Sequence, residues 1–104
     1  MAVTVSTSIS NNGTQIARWV GDAGAGNGPG VMFGANSKKT VQRVSGSGTF
    51  TVEGSLDGAT WGALATAISA VNDDNCRAIP ENTLFLRVVT ASAAATVVIV
   101  GDRG

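Results

Sequence analysis

No histidine occurs among the 104 residues of the chain. Ser-His-Asp and Cys-His nucleophile systems and histidine-ligated metal sites are excluded together, because each needs an imidazole as base or ligand. The acidic residues Glu53, Asp57, Asp73, Asp74 and Glu81 are of the type that hydrolyses glycosides when two carboxyl groups flank the bond at a set separation. Glu53, however, falls on the polar side of an alternating run, and Asp57 belongs to an Asp-Gly turn. No spacing brings two of these groups to one place. The expectation is a protein that is not an enzyme, with no catalytic, cofactor-binding or metal-binding residue and no cofactor.

Weaker chemical signals resolve in the same direction. Asp73-Asp74-Asn75 offers oxygen ligands, but it lacks the alternate spacing and the bidentate Glu of a calcium loop and reads as a solvated turn. The run Gly21 to Gly30, GDAGAGNGPG, lacks the spacing and the Lys of a phosphate loop. Cys76 is the single cysteine, so neither an internal disulfide nor a zinc cluster forms, and a small buried or half-buried side chain is expected. Lys38, Lys39 and Arg43 make a small basic group, and Trp19 or Phe33 has a ring that stacks on a base or sugar. With a formal net charge of zero, a solvated strand edge is expected and nucleic acid is not a partner. Asn12-Gly13-Thr14 is a glycosylation sequon only in a secreted chain, and the first residues have neither the basic patch nor the apolar run of a signal peptide. Ala91 to Val100 is interrupted by Ser92 and Thr96 and falls short of the ~18 apolar residues of a span, so no membrane is expected.

The elements that must position these residues read as strands. Val3, Val5, Thr7 and Ile9 alternate with Thr4, Ser6, Ser8 and Ser10, and Asn11-Asn12-Gly13 turns the chain into a second strand, Thr14 to Val20. Gly21 to Gly30 is a long loop, because so many glycines carry too much backbone entropy to order without outside contacts. Val31-Met32-Phe33 is an apolar island, an edge strand or a plug. Lys39 to Ser45 alternates, and Thr49 to Trp61, TFTVEGSLDGATW, combines an alternating strand, an Asp57-Gly58 turn and the anchor Trp61. Leu64 to Val71, with Leu64, Ile68 and Val71 at three- and four-residue spacing, fits one helical turn or a strand and is read as a strand; Asn72 to Asn75 is a turn, and Thr83 to Ala91 and Ala94 to Val100 are the last two strands. The whole is one domain, residues 1–104. It is expected to be an all-β antiparallel sandwich, jelly-roll-like or immunoglobulin-like, of about seven to eight short strands. Its hydrophobic set is dominated by Val and Ala, which makes a thin core. Only 13% of residues are charged, so little repulsion opposes association with other copies.

The segment VSGSGTFTVEGSLDGATWGAL, Val44 to Leu64, resembles a motif of small tailed-bacteriophage virion proteins, in which an aromatic-x-Val-x-Gly-Ser strand precedes Asp-Gly and a tryptophan. Leu86 to Val89 resembles the Arg-Val-Val-type strand found later in such proteins. The resemblance implies a capsid decoration or cement protein, made in the bacterial host cytoplasm and located on the capsid surface of the virion. Its implied partner is the major capsid protein, which it would bind as a symmetric homotrimer. Tail or fibre attachment is the alternative, as is a carbohydrate-binding module that contacts a glycan through Trp19 or Trp61. The contact elements expected under this reading are Val3 and Val5 of the first strand, Gly24, Gly26 and Gly28 of the loop, and Val31, Met32 and Phe33 of the island.

Overall fold

Period-two alternation is translated directly into strands wherever it runs for six residues or more. The computed structural model describes residues 3–10, 13–22, 26–34, 38–64, 68–91 and 93–102. Among them are nine strands: β1 (Val3–Ile9), β2 (Thr14–Gly21), β3 (Val31–Met32), β4 (Lys39–Gly46), β5 (Phe50–Ser55), β6 (Gly62–Ala63), β7 (Arg77–Ile79), β8 (Phe85–Thr90) and β9 (Ala95–Asp102). They form a five-stranded sheet in the order β1-β2-β9-β4-β7 and a four-stranded sheet in the order β3-β8-β5-β6, with every pairing antiparallel. The expected all-β sandwich is thus formed, with β3 on the island read as an edge strand or a plug, and with more strands than expected because the stubs β6 and β7 are too short to show a period.

The sheets close on one hydrophobic core. Ala17, Trp19, Val41, Val97 and Ile99 come from the first sheet, and Val31, Phe50, Val52, Leu86 and Val88 from the second. Phe33, Leu64, Ile68 and Val71 plug it from the connections. Leu64 to Val71 is not a strand among its described residues. It runs beside β5 instead, where the Val52 amide donates to the Ile68 carbonyl at 2.9 Å and Val71 bridges Phe50. Cys76 is free and exposed, against the expectation of burial, because the 72–76 turn lies outside the sandwich.

The Asp57-Gly58 turn is wider than a two-residue hairpin, since the ladder resumes only at Gly54–Gly62. Its chemistry is nonetheless the expected one. Asp57 Oδ1 accepts the Ala59 and Thr60 amides, both at 2.8 Å, and Gly58 takes φ of +78°, a conformation that glycine enters without the Cβ penalty.

Candidate functional site

Four places on the molecule gather polar or accessible groups. The first is Arg43, which alternation on β4 turns inward with Val41. Its buried guanidinium donates from Nε to Asp74 Oδ1 at 2.8 Å, and from Nη1 to the Gly48 carbonyl at 2.8 Å and Asn72 Oδ1 at 3.1 Å. Gln42 donates to the Asp74 carbonyl at 2.9 Å. Beside it, Asp73 is held below the usual carboxylate range, first by the Asn75 amide and then by Arg77 at 2.5 Å. The Asn72 to Asn75 turn therefore clamps onto β4, and its oxygens face guanidinium groups. No group of three or more Cys, Asp or Glu residues among the described residues is arranged to hold a metal ion.

Lys39 also points inward on β4 and is 2% exposed. The period-two pattern placed it on the face of Val41, so its burial was legible in the sequence, where it was read instead as a solvated edge. Burial lowers its pKa by penalising the ammonium form. Its Nζ lies 3.5 Å from the Glu81 carbonyl. It borders a depression of about 370 Å³ lined by Lys38, Thr40, Ala78, Ile79, Pro80 and Asn82.

The outer face of the four-stranded sheet carries Arg87, whose Nε and Nη2 both meet Glu53 Oε1, at 2.8 and 2.6 Å. The same guanidinium lies 4.6 Å from the centre of the Trp61 ring, so one face of this half-buried indole is covered. Trp19 is fully buried and donates from Nε1 to the Pro29 carbonyl at 2.8 Å, which removes it as a sugar platform.

The fourth place is the outer edge of β1. Val3 is buried and Val5 half-buried, both on the core side of this edge strand. The other expected contact residues do not join them. Gly24 lies outside the described residues. The Gly26 carbonyl accepts the Thr90 amide at 3.1 Å, and the Gly28 amide donates to the Val88 carbonyl at 2.8 Å, so this part of the loop is ordered by β8 without any outside partner. Gly28 also lies against Trp19, where a Cβ would come within 2.5 Å of the indole. Val31 and Phe33 are core residues, and only Met32 of the island is exposed. Thr7 and Ile9, exposed on β1, were not singled out, because nothing local marks a strand as lying at an edge.

No family model and no curated protein matches the chain. Its fold is nevertheless shared with solved structures. An RmlC-like cupin protein from Desulfovibrio desulfuricans is similar with a TM-score of 0.60 and 14% identity, covering 98% of this chain and 83% of that one. A cupin domain from Bordetella pertussis gives 0.57 and 14%, covering 99% and 94%. An oxalate oxidase gives 0.59 and 17%, covering 97% of this chain and 51% of that one. These likenesses decide between the two expected sandwich types in favour of the cupin-like jelly roll, a fold that enzymes also use. They correct the capsid-decoration reading: the solved structures that share this fold include cupin-domain proteins, an oxalate oxidase and a sugar phosphate isomerase, and the carbohydrate-binding alternative is no better supported. The physical reason is that the residues carrying the resemblance, Ser55, Asp57, Gly58 and Trp61, have structural roles in a turn and its packing, which fit any sandwich of this kind.

Proposed function

We propose that the chain is a non-catalytic building block of a homo-oligomer, a jelly-roll sandwich that acts through its outer surface. The observation that carries this reading is the filling of the space between the sheets. Trp19, Phe33, Phe50, Leu86 and Ile99 are each less than 2% exposed and occupy the volume in which an enclosed ligand would sit. The buried charged groups support the same reading. Arg43 donates to Asp74, Asn72 and the Gly48 carbonyl, which gives its charge a structural role, and Lys39 reaches toward the Glu81 carbonyl. A chain with zero formal net charge and few charged residues offers little repulsion to association. Sedimentation velocity from ~1 to ~100 μM is the test, because mass action makes an oligomer concentration-dependent. A mass above the monomer that grows with concentration is expected; a monomer throughout overturns the reading.

A further inference from the structure

We propose that two copies join edge to edge through β1, antiparallel about a two-fold axis at Ser6, so that two five-stranded sheets become one continuous ten-stranded sheet. This rests on the homo-oligomer reading and specifies its interface.

Edge lengths single out β1. The far edge of the same sheet, β7, has three residues, and the two edges of the other sheet, β3 and β6, have two each. Shortness protects those edges from pairing with other chains. β1 has seven residues, VTVSTSI, without a charge or a proline, and it pairs with β2 in unbroken register from Val3–Gly21 to Ile9–Gln15. It therefore lacks the usual protective devices of an edge strand, which are charged side chains, proline and bulges. Among the described residues no strand pairs with its outer side.

The hydrogen-bond phase of the β1–β2 hairpin then defines how a second copy fits. The Ser10 amide donates to the Thr14 carbonyl at 2.8 Å, which makes this a bonded pair. Bonded pairs alternate along an antiparallel ladder, so Ser8–Ile16, Ser6–Arg18 and Thr4–Val20 are bonded as well. Val3, Val5, Thr7 and Ile9 consequently turn their N–H and C=O groups to the open edge. With Ser6 on the axis, Val3 faces Ile9 of the second copy and Val5 faces Thr7, so all four outward residues of each copy meet outward residues of the other. That register forms about eight inter-chain hydrogen bonds. A slip of one residue sets outward groups against inward ones, and a slip of two leaves a pair unmade.

Side chains agree with the backbone. Val3, Val5, Thr7 and Ile9 lie on the core side, opposite Gly21, Trp19, Ala17 and Gln15 of β2. Ile9 is nonetheless 49% exposed, and the pairing sets it against the second copy's Val3, extending the apolar face across the joint. On the outer face, Thr4 meets Ser8 and Ser6 meets Ser6, all able to hydrogen-bond across strands. The charges in register with Ser6, Arg18 of each copy, are three strand spacings apart. That is roughly 14 Å and beyond the Debye length of about 8 Å at physiological salt.

Three variants of the full chain test the interface. Thr7→Pro removes an outward N–H and no β1–β2 bond, so the fold is retained while the dimer Kd rises at least ~tenfold in sedimentation velocity. In a Cys76→Ser background, Ser6→Cys places two thiols at a non-bonded pair with Cα atoms about 4.5 Å apart, within disulfide range. Copper-phenanthroline oxidation is expected to cross-link it as a dimer. Ser8→Cys in the same background puts its two thiols roughly 14 Å apart along the strands and is expected to stay uncross-linked. Equal cross-linking of the Ser6→Cys and Ser8→Cys variants, or an unchanged oligomer in folded Thr7→Pro, overturns the β1 interface while leaving the homo-oligomer reading standing. A wild-type chain that is monomeric throughout overturns both.

Discussion

A guanidinium survives inside this sandwich because each direction in which it donates meets an acceptor. Arg43 holds Asp74, Asn72 and the Gly48 carbonyl at 2.8 to 3.1 Å, and it is these acceptors that make its burial tolerable. Arg43→Met keeps the aliphatic stem but leaves the Gly48 and Asn72 oxygens without their donor. An expected loss of about 2–4 kcal/mol in urea unfolding follows from breaking a buried charged network at one partner. Asp57 makes a pH-dependent contribution. The Thr60 amide, then the Ala59 amide and the Ser55 hydroxyl, hold its carboxyl at about 2, below the ordinary 3.8. Because the folded value is the lower one, the stabilisation is fully present above pH 3.8 and is lost as pH falls from there through about 2. Asp57→Asn is expected to flatten the pH dependence of Tm in that window and to lower Tm at neutral pH, where the stabilisation is fully present. Lys39 also raises stability with pH, but as a cost removed: burial lowers its folded pKa, so its cost is present at neutral pH and is relieved as pH rises toward 10.5.

At the scale of the element, the long alternating runs were legible because period two reports which side chains face a core. Val3 to Ile9, Thr14 to Val20, Lys39 to Ser45 and the strand from Phe50 all appear within a residue or two of their expected limits. β3 falls on the apolar island read as an edge strand or a plug, while β6 and β7, of two and three residues, are decided by the neighbouring strand that lends them hydrogen bonds, and no local pattern announces them. Leu64 to Val71 shows how burial without pairing misleads: Leu64, Ile68 and Val71 are buried, yet only Val71 makes a bridge. The glycine-rich loop was expected to await a partner, and its 26–28 portion finds one within the chain, in β8. Gly28 is essential to that docking, since a Cβ would intrude on the Trp19 ring and the Val88 carbonyl. Gly28→Ala is expected to cost about 1–3 kcal/mol by overpacking, with altered near-UV dichroism from Trp19.

For the whole molecule, the question is how nine strands are ordered. The last strand, β9, becomes the centre of its sheet, flanked by β2 and β4, while the first, β1, is left at the edge. An open seven-residue edge on a molecule without net charge is a site where further pairing stabilises the folded state. The Tm of the wild-type chain is therefore expected to rise with protein concentration, and that of Thr7→Pro to stay constant, as read by scanning calorimetry at several concentrations. A concentration-independent Tm in the wild type counts against association of any geometry.

The candidate site divides along the same line. The inward direction of Lys39 and Arg43, the turn role of Asp57 and the absence of an imidazole were determined by the residues themselves, because side-chain period and chemical type are local properties. The burial of Trp19 and Phe33, the pairing of Arg87 with Glu53 and Trp61, and the exposure of Ile9 on an open edge were decided only by the tertiary structure. Those outcomes depend on contacts between segments such as Gly21 and Ala95, seventy-four positions apart in the chain but opposite each other in the sheet. A strand carries in its own sequence which face is apolar. Whether a neighbour covers its edge is a property of the rest of the chain.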